Sequence, residues 1–359
     1  MKRCLILLII VVIIPIFCLK ASAEGEIDEY ISEFSDILPD DFSGVADDPD
    51  SLIDKVGIEG LVGEIIATLS DNRGEILSFF LILIGSIALT SLASQLPNAG
   101  SVGAQACTSL ISSTLIFKVV GGLFRSVTDS LVSLCDFFGS LIPITVGITA
   151  LGGAKSTATV QASGMYTTLS LVSSLGERIF LPLLALGLAV SLLSAFKNDS
   201  ILSVGRGIKG IFMWLIGIVG AILTAAISLQ TLIASAVDTA SIRAARYAAS
   251  GLIPVVGSTV SSALSTLASG LSYAKGIVGG GAIAVLVSIC LSPLILLLAY
   301  RLALSLGMII ADFTGGDSIG AVFSAFRLSL DMLIAVYAIS ALIFIFEILL
   351  FVKMGVGIL

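Results

Sequence analysis

Apolar residues in this chain run in blocks broken by single charges or by Gly and Pro, rather than alternating with polar ones. Residues 76–96, 211–237, 282–306 and 330–352 are each long enough to cross the ~30 Å hydrocarbon of a bilayer as a helix. Residues 104–124, 131–151 and 167–196 are less clean blocks, and Glu177-Arg178 makes the last either one long tilted helix or a tight hairpin. The pattern predicts an all-α polytopic membrane protein. It should have about seven transmembrane helices, with proline-interrupted or re-entrant segments and an internal duplication.

One stretch fits neither a linker nor a lipid-facing span. SGLIPVVGSTVSSALSTLASG (250–270) has no charge, and thirteen of its 21 residues are Gly, Ala, Ser or Thr. After Pro254, Ser258, Ser262, Thr266 and Gly270 recur every four residues and Ala274 continues the row. Val260, Leu264, Leu267 and Leu271 form a second stripe at helical spacing. A helix with one such small face suits close backbone approach to another helix. Upstream, Arg243 and Arg246 stand three residues apart on one face and are expected at an interface, snorkelling to headgroups.

The chain also resembles itself. Leu141-Ile142-Pro143 falls on Leu252-Ile253-Pro254 at an offset of 111, and the same offset carries Pro182 onto Pro293. Gly147, Gly257 and Ser258 flank the first pair of prolines. We read two repeats, about 104–210 and 215–321, each a span, a connecting helix ending in LIP, a small-residue segment and a proline-containing span. A proline inside a span frees a carbonyl that protein or water must satisfy. Such positions often line the pathway of repeat-built transporters.

Composition fixes the environment: 57% of residues are hydrophobic and 12% charged, with a mean hydropathy of +1.13. Lys2 and Arg3, an apolar run to Leu19 and Ala21-Ser22-Ala23 read as a signal peptide over 1–23. Residues 24–75 carry sixteen acidic residues against Lys55 and Arg73, a net of −14, and read as an acidic extracytoplasmic arm with one or two short helices. Residues 76–359 form the membrane domain. KNDSILSVGRGIK (197–209) is the most basic short connection and is placed in the cytoplasm.

Chemistry is sparse. There is no histidine, which removes the commonest general base and transition-metal ligand. Cys107, Cys135 and Cys290 stand singly in apolar blocks, so no disulfide framework or CxxC metal site is visible. GGAKST (152–157) lacks the glycine a P-loop needs before its lysine. No catalytic, cofactor or metal residues are assigned, no nucleic-acid partner is implied, and an enzyme is not expected. Lys118, Asp136, Glu177, Arg178, Arg301, Asp331 and Glu347 are isolated charges in apolar surroundings; such residues face protein or water. Arg301 and Asp331, on neighbouring late spans, are expected to pair.

The stretch RAARYAASGLIPVVGSTVSSALSTLASGLSYAKGIVGGG, following a signal, an acidic arm and an apolar core, resembles the stage III sporulation protein AE family of endospore-forming Firmicutes. The resemblance implies a multi-pass protein made in the mother cell, placed in the membrane around the forespore. Its partners would be the other subunits of the mother cell to forespore channel, including a separate ATPase, besides membrane lipid and further copies of itself. The family has no catalytic residues to carry over. A self-sufficient secondary transporter is the alternative reading.

Overall fold

The structure is a computed structural model that describes residues 34–39, 58–95, 99–194, 199–252, 257–314 and 317–353. The expected signal peptide and most of the acidic arm, as well as Pro254, lie outside the described residues. The helices are α1 (Ile58–Asp71), α2 (Arg73–Ser94), α3 (Ala99–Leu151), α4 (Lys155–Ser194), α5 (Asp199–Leu252), α6 (Gly257–Phe313) and α7 (Asp317–Lys353). No strand occurs among the described residues. Gly152-Gly153 separates α3 from α4. Gly153 takes φ 78°, the left-handed conformation that closes a helix C-terminus at no steric cost to glycine.

Among the described residues five stretches are long and apolar enough to cross a membrane: Arg73–Ser94, Gly103–Leu151, Ser203–Ala240, Ser269–Phe313 and Ser318–Lys353. Sequence reading expects about seven, and the difference has a physical origin. The blocks 104–124 and 131–151 are one 53-residue helix, because Arg125 and Asp129 change the side-chain face without interrupting the backbone hydrogen bonds. Pro143, Pro182 and Pro293 likewise lie inside helices that continue through them, so these spans are not interrupted. The block around Glu177-Arg178 is one helix, α4, which is not among these five stretches and accounts for the other missing span; the basic connection is helical from Asp199. At 1.5 Å per residue α3 is ~80 Å long, well beyond one bilayer.

Helix α7 is the centre of the bundle, packing on α6, α4, α5 and α3. Met332, Leu333, Val336, Tyr337, Phe344, Ile348 and Phe351 along it are fully buried. Phe344 stacks on Phe138 of α3 with ring centroids 4.2 Å apart. The helix pairs α3–α4 and α5–α6 pack differently: α3 runs along α4, whereas α5 and α6 barely touch. The acidic arm is not wholly solvated, since Phe34, Leu38 and Leu61 enter the same apolar core.

The small face of α6 is buried from Gly270 onward, through Ala274, Val278 and Ala282. Beside this row, a methyl group on Gly279 would lie 2.0 Å from Cγ2 of Val352 on α7. Valine is stiff at χ1 and cannot swing clear inside a packed interface. We expect Gly279→Ala to lower stability by roughly 1–3 kcal/mol through overpacking, and Val352→Ala to restore part of it in the double variant. Thermal unfolding of the detergent-purified chain measures both.

Candidate functional site

Charge is concentrated where α5, α6 and α7 meet. Arg301 Nε on α6 donates to Oδ1 of Asp331 on α7, and Lys209 Nζ on α5 donates to Oδ2, both as close ion pairs. Side-chain exposure is 14% for Arg301, 11% for Asp331 and 29% for Lys209. The expected Arg301–Asp331 pair is therefore present. Lys209, which the hydropathy pattern places in a basic connection, is its third member. A charged side chain at the bilayer centre costs ~2.5–3.5 kcal/mol on insertion scales, and pairing offsets that cost. One carboxylate shared by two cations leaves a net positive charge and ties three helices together.

A second polar level lies at the other end of these helices. Asp238 on α5 accepts the backbone N–H of Ser156 (3.2 Å) and Thr157 (2.7 Å) at the start of α4. These N–H groups have no partner within their own helix, and the helix dipole favours an anion there. GGAKST thus opens a helix whose anion-binding end is filled by a carboxylate of the chain itself. Nearby, Thr168 donates to Oε1 of buried Glu347, while Oε2 has no hydrogen-bond partner. The buried Lys275 ammonium sits 5.4 Å from the Phe351 ring centroid, one turn beyond Glu347. Thr149 bonds Gln161 at 2.9 Å. Between the two levels, α5 is uncharged over 210–237 and α6 over 276–300. That is about 40 Å of helix, enough to cross the hydrocarbon with tilt.

Midway lies the answer to one proline. Pro293 has no N–H, which frees the carbonyl four residues earlier, that of Ile289. Ser130 Oγ on α3 (3.3 Å) and Tyr337 OH on α7 (3.4 Å) both lie within donating distance of it, and the two hydroxyls hydrogen-bond each other at 2.7 Å, so one donates to the carbonyl while the other donates to its neighbour. A defect in α6 is thereby converted into a three-helix junction.

The remaining candidates are spread out. Pro143 and Pro182 are exposed on α3 and α4, Gly147 is half-buried, and Gly270 is buried. Gly257, Ser258, Ser262 and Thr266 belong to the first turns of α6, and Arg246 to α5 beside the exposed Arg243. Pro143, Gly147, Pro182 and Gly270 are not part of the charge triad. Among the described residues no group of three metal-ligating side chains occurs. Sequence reasoning missed Lys209, Asp238, Ser130 and Tyr337; only the bare requirement that a proline-freed carbonyl find a donor pointed toward the last two.

Fold and site together define an all-helical, multi-span membrane protein whose core is fastened by buried charge and hydroxyl contacts. The family model described as Stage III sporulation protein AE (spore_III_AE) matches residues 48–355, and the chain belongs to that family. A curated relative, "Stage III sporulation protein AE" of Bacillus subtilis (strain 168), is 22% identical over 229 residues. The match covers 64% of this chain and 57% of the relative, so it spans little more than half the relative's length. No solved structure matches the chain.

Two outcomes test the site. Asp331→Ala should destabilise the chain by about 3 kcal/mol, at the low end for a broken buried pair, because two partly buried cations lose their partner. Replacing all three members with apolar residues of similar volume should recover most of that loss, and chemical denaturation of the purified protein compares them. Ser130→Ala and Tyr337→Phe should each cost less than about 1 kcal/mol, since either hydroxyl alone satisfies Ile289. The double variant should cost about 1–3 kcal/mol by orphaning the carbonyl, and the double-mutant cycle reads the difference.

Proposed function

We propose that the chain is a non-enzymatic integral membrane subunit of the channel joining mother cell and forespore, acting in the mother-cell-derived membrane during stage III of sporulation. The observation that carries the reading is the coincidence of a stage III sporulation family match over residues 48–355 with five span-length apolar helices among the described residues. In this reading the chain supplies membrane structure, and a separate ATPase subunit of the same assembly supplies energy. The triad at Asp331 keeps α5, α6 and α7 in register while the assembly bears load.

The alternative, a self-sufficient transporter, draws on buried Glu347, whose Oε2 has no hydrogen-bond partner. A buried carboxylate between α4 and α7 would suit proton-coupled exchange. Solute uptake by the purified chain alone in liposomes would favour that alternative.

A strain lacking the gene should arrest after engulfment and be rescued by the wild-type chain. Affinity purification of the rescued protein should bring down the other channel subunits. Normal spore yield in the deletion strain would exclude the channel role.

A further inference from the structure

The exposed faces of the bundle are not alike. On α5, Ile211, Trp214, Ile222, Leu229 and Ile233 are each 60–68% exposed, and on α2 so are Leu77, Leu81 and Leu92, at 62–68%. These faces are apolar and suit lipid. On α3 the exposed polar row is Lys118, Arg125, Asp129, Ser133, Asp136 and Ser140, spaced by three, four or seven residues so that it forms one stripe along the helix, with Val132, 53% exposed, at its edge. Among the described residues the ion pairs are the two at Asp331, so none of these four charges is in one.

Helix α4 continues this surface. Tyr166, Thr167, Ser170, Ser174 and Arg178, with the apolar Leu171 and Ile179, line an open groove of about 780 Å³. Thr149 bonds Gln161, and a methyl on Gly139 would touch Leu169 at 3.4 Å, so α3 and α4 run antiparallel side by side. Ser140 follows Gly139 and Ser170 follows Leu169, each about 100° further round its own helix. In an antiparallel pair, equal advances from the shared contact point to the same side. The stripe and the groove share one face of the α3–α4 pair, and the charges on it belong to α3 and to Arg178.

Its depth is fixed by contacts already described. Phe138 stacks on Phe344, thirteen residues beyond Asp331 on α7. Ile222 is thirteen residues beyond Lys209 on α5, and Lys209 and Asp331 are paired. Asp136 and Ser140 therefore lie level with Ile222, where α5 exposes only apolar surface. Pro143, exposed in the same row, frees the carbonyl of Gly139 on this face. Hydrocarbon can satisfy neither the charges nor that carbonyl.

We infer that this α3–α4 face is the wall of a water-filled passage enclosed by several copies of the chain. Rotational symmetry sets identical residues at equal height, so Asp136 faces Asp136 and Arg125 faces Arg125 across the axis. Like charges so placed repel at contact distance and hold the faces apart around water. The passage then carries acidic rings at Asp129 and Asp136 and a basic ring at Arg125, the arrangement by which charged pores select ions. The inference rests on reading the chain as a membrane channel subunit, and it identifies which surface meets the conduit.

The test uses the full chain in intact membranes, with its five cysteines replaced by alanine and single cysteines at Ser133, Ser140, Ser170 or Ile222. The probe is a charged, membrane-impermeant methanethiosulfonate. Ser133→Cys, Ser140→Cys and Ser170→Cys should react at least about tenfold faster than Ile222→Cys, because the reactive thiolate forms only where water reaches. Native mass measurement of the same preparation should give an oligomer. Stripe cysteines no faster than Ile222→Cys would overturn the inference, as would a monomer. Protection of the stripe only when the sporulation proteins are produced together would also overturn it, assigning the face to a different protein. Failure here leaves the sporulation role standing, whereas normal sporulation of the deletion strain would remove that role and leave the cysteine result unchanged.

Discussion

Asp331 is the point on which the bundle turns. Helix α7 is buried along most of its length, and a carboxylate near the start of its apolar run has no water to rely on. Arg301 and Lys209 meet it from two other helices, which sets both the register of α6 against α7 and the approach of α5. Apolar packing alone sets helix register weakly in a membrane, because lipid tails compete on equal terms for the same surfaces. A shared buried charge does not slide: displacing any partner by one turn leaves a cation or the anion alone in a medium that penalises it.

The same rule recurs at smaller scale. Pro293 leaves the Ile289 carbonyl open, and hydroxyls from α3 and α7 close it. The first turn of α4 leaves N–H groups open, and Asp238 of α5 closes them. Each local defect of one helix becomes a contact with another, so the positions that look weakest in isolation are where the helices are held. Glycine serves the complementary end: at Gly279 the missing side chain is what lets α6 lie against Val352.

Much of this was legible in the residues, for identifiable reasons. Span-length apolar blocks announce helices because the bilayer admits few alternatives. Arg301 and Asp331 could be paired because they sit thirty residues apart on consecutive spans, on opposite sides of Gly315-Gly316. Lys209 could not, because a lysine among glycines and other basic residues reads as a connection until the helix containing it is known to start at Asp199. The charges at 125 and 129 suggested a break between two spans; side-chain polarity was mistaken for a backbone signal. The row of small residues at every fourth position pointed to a packed face, but it passes through Val278 and misses Gly279, since a strict period of four drifts against 3.6 residues per turn.

That drift also separates the two kinds of exposed surface. A stripe facing a fixed direction over many turns must advance by threes and fours together, and the polar row on α3 does so from Lys118 to Ser140. Polar residues scattered by composition alone would spread over all faces of a helix. Here Val120, Val127, Leu131, Leu134, Phe138 and Leu141, interleaved with the row, are buried to at least nine-tenths, while the charges remain outside. The helix therefore has two faces with opposite solvents. One is the apolar interior built around α7; the other is polar at a depth where neighbouring helices expose leucine, isoleucine and tryptophan, and only water or another polar surface can meet it.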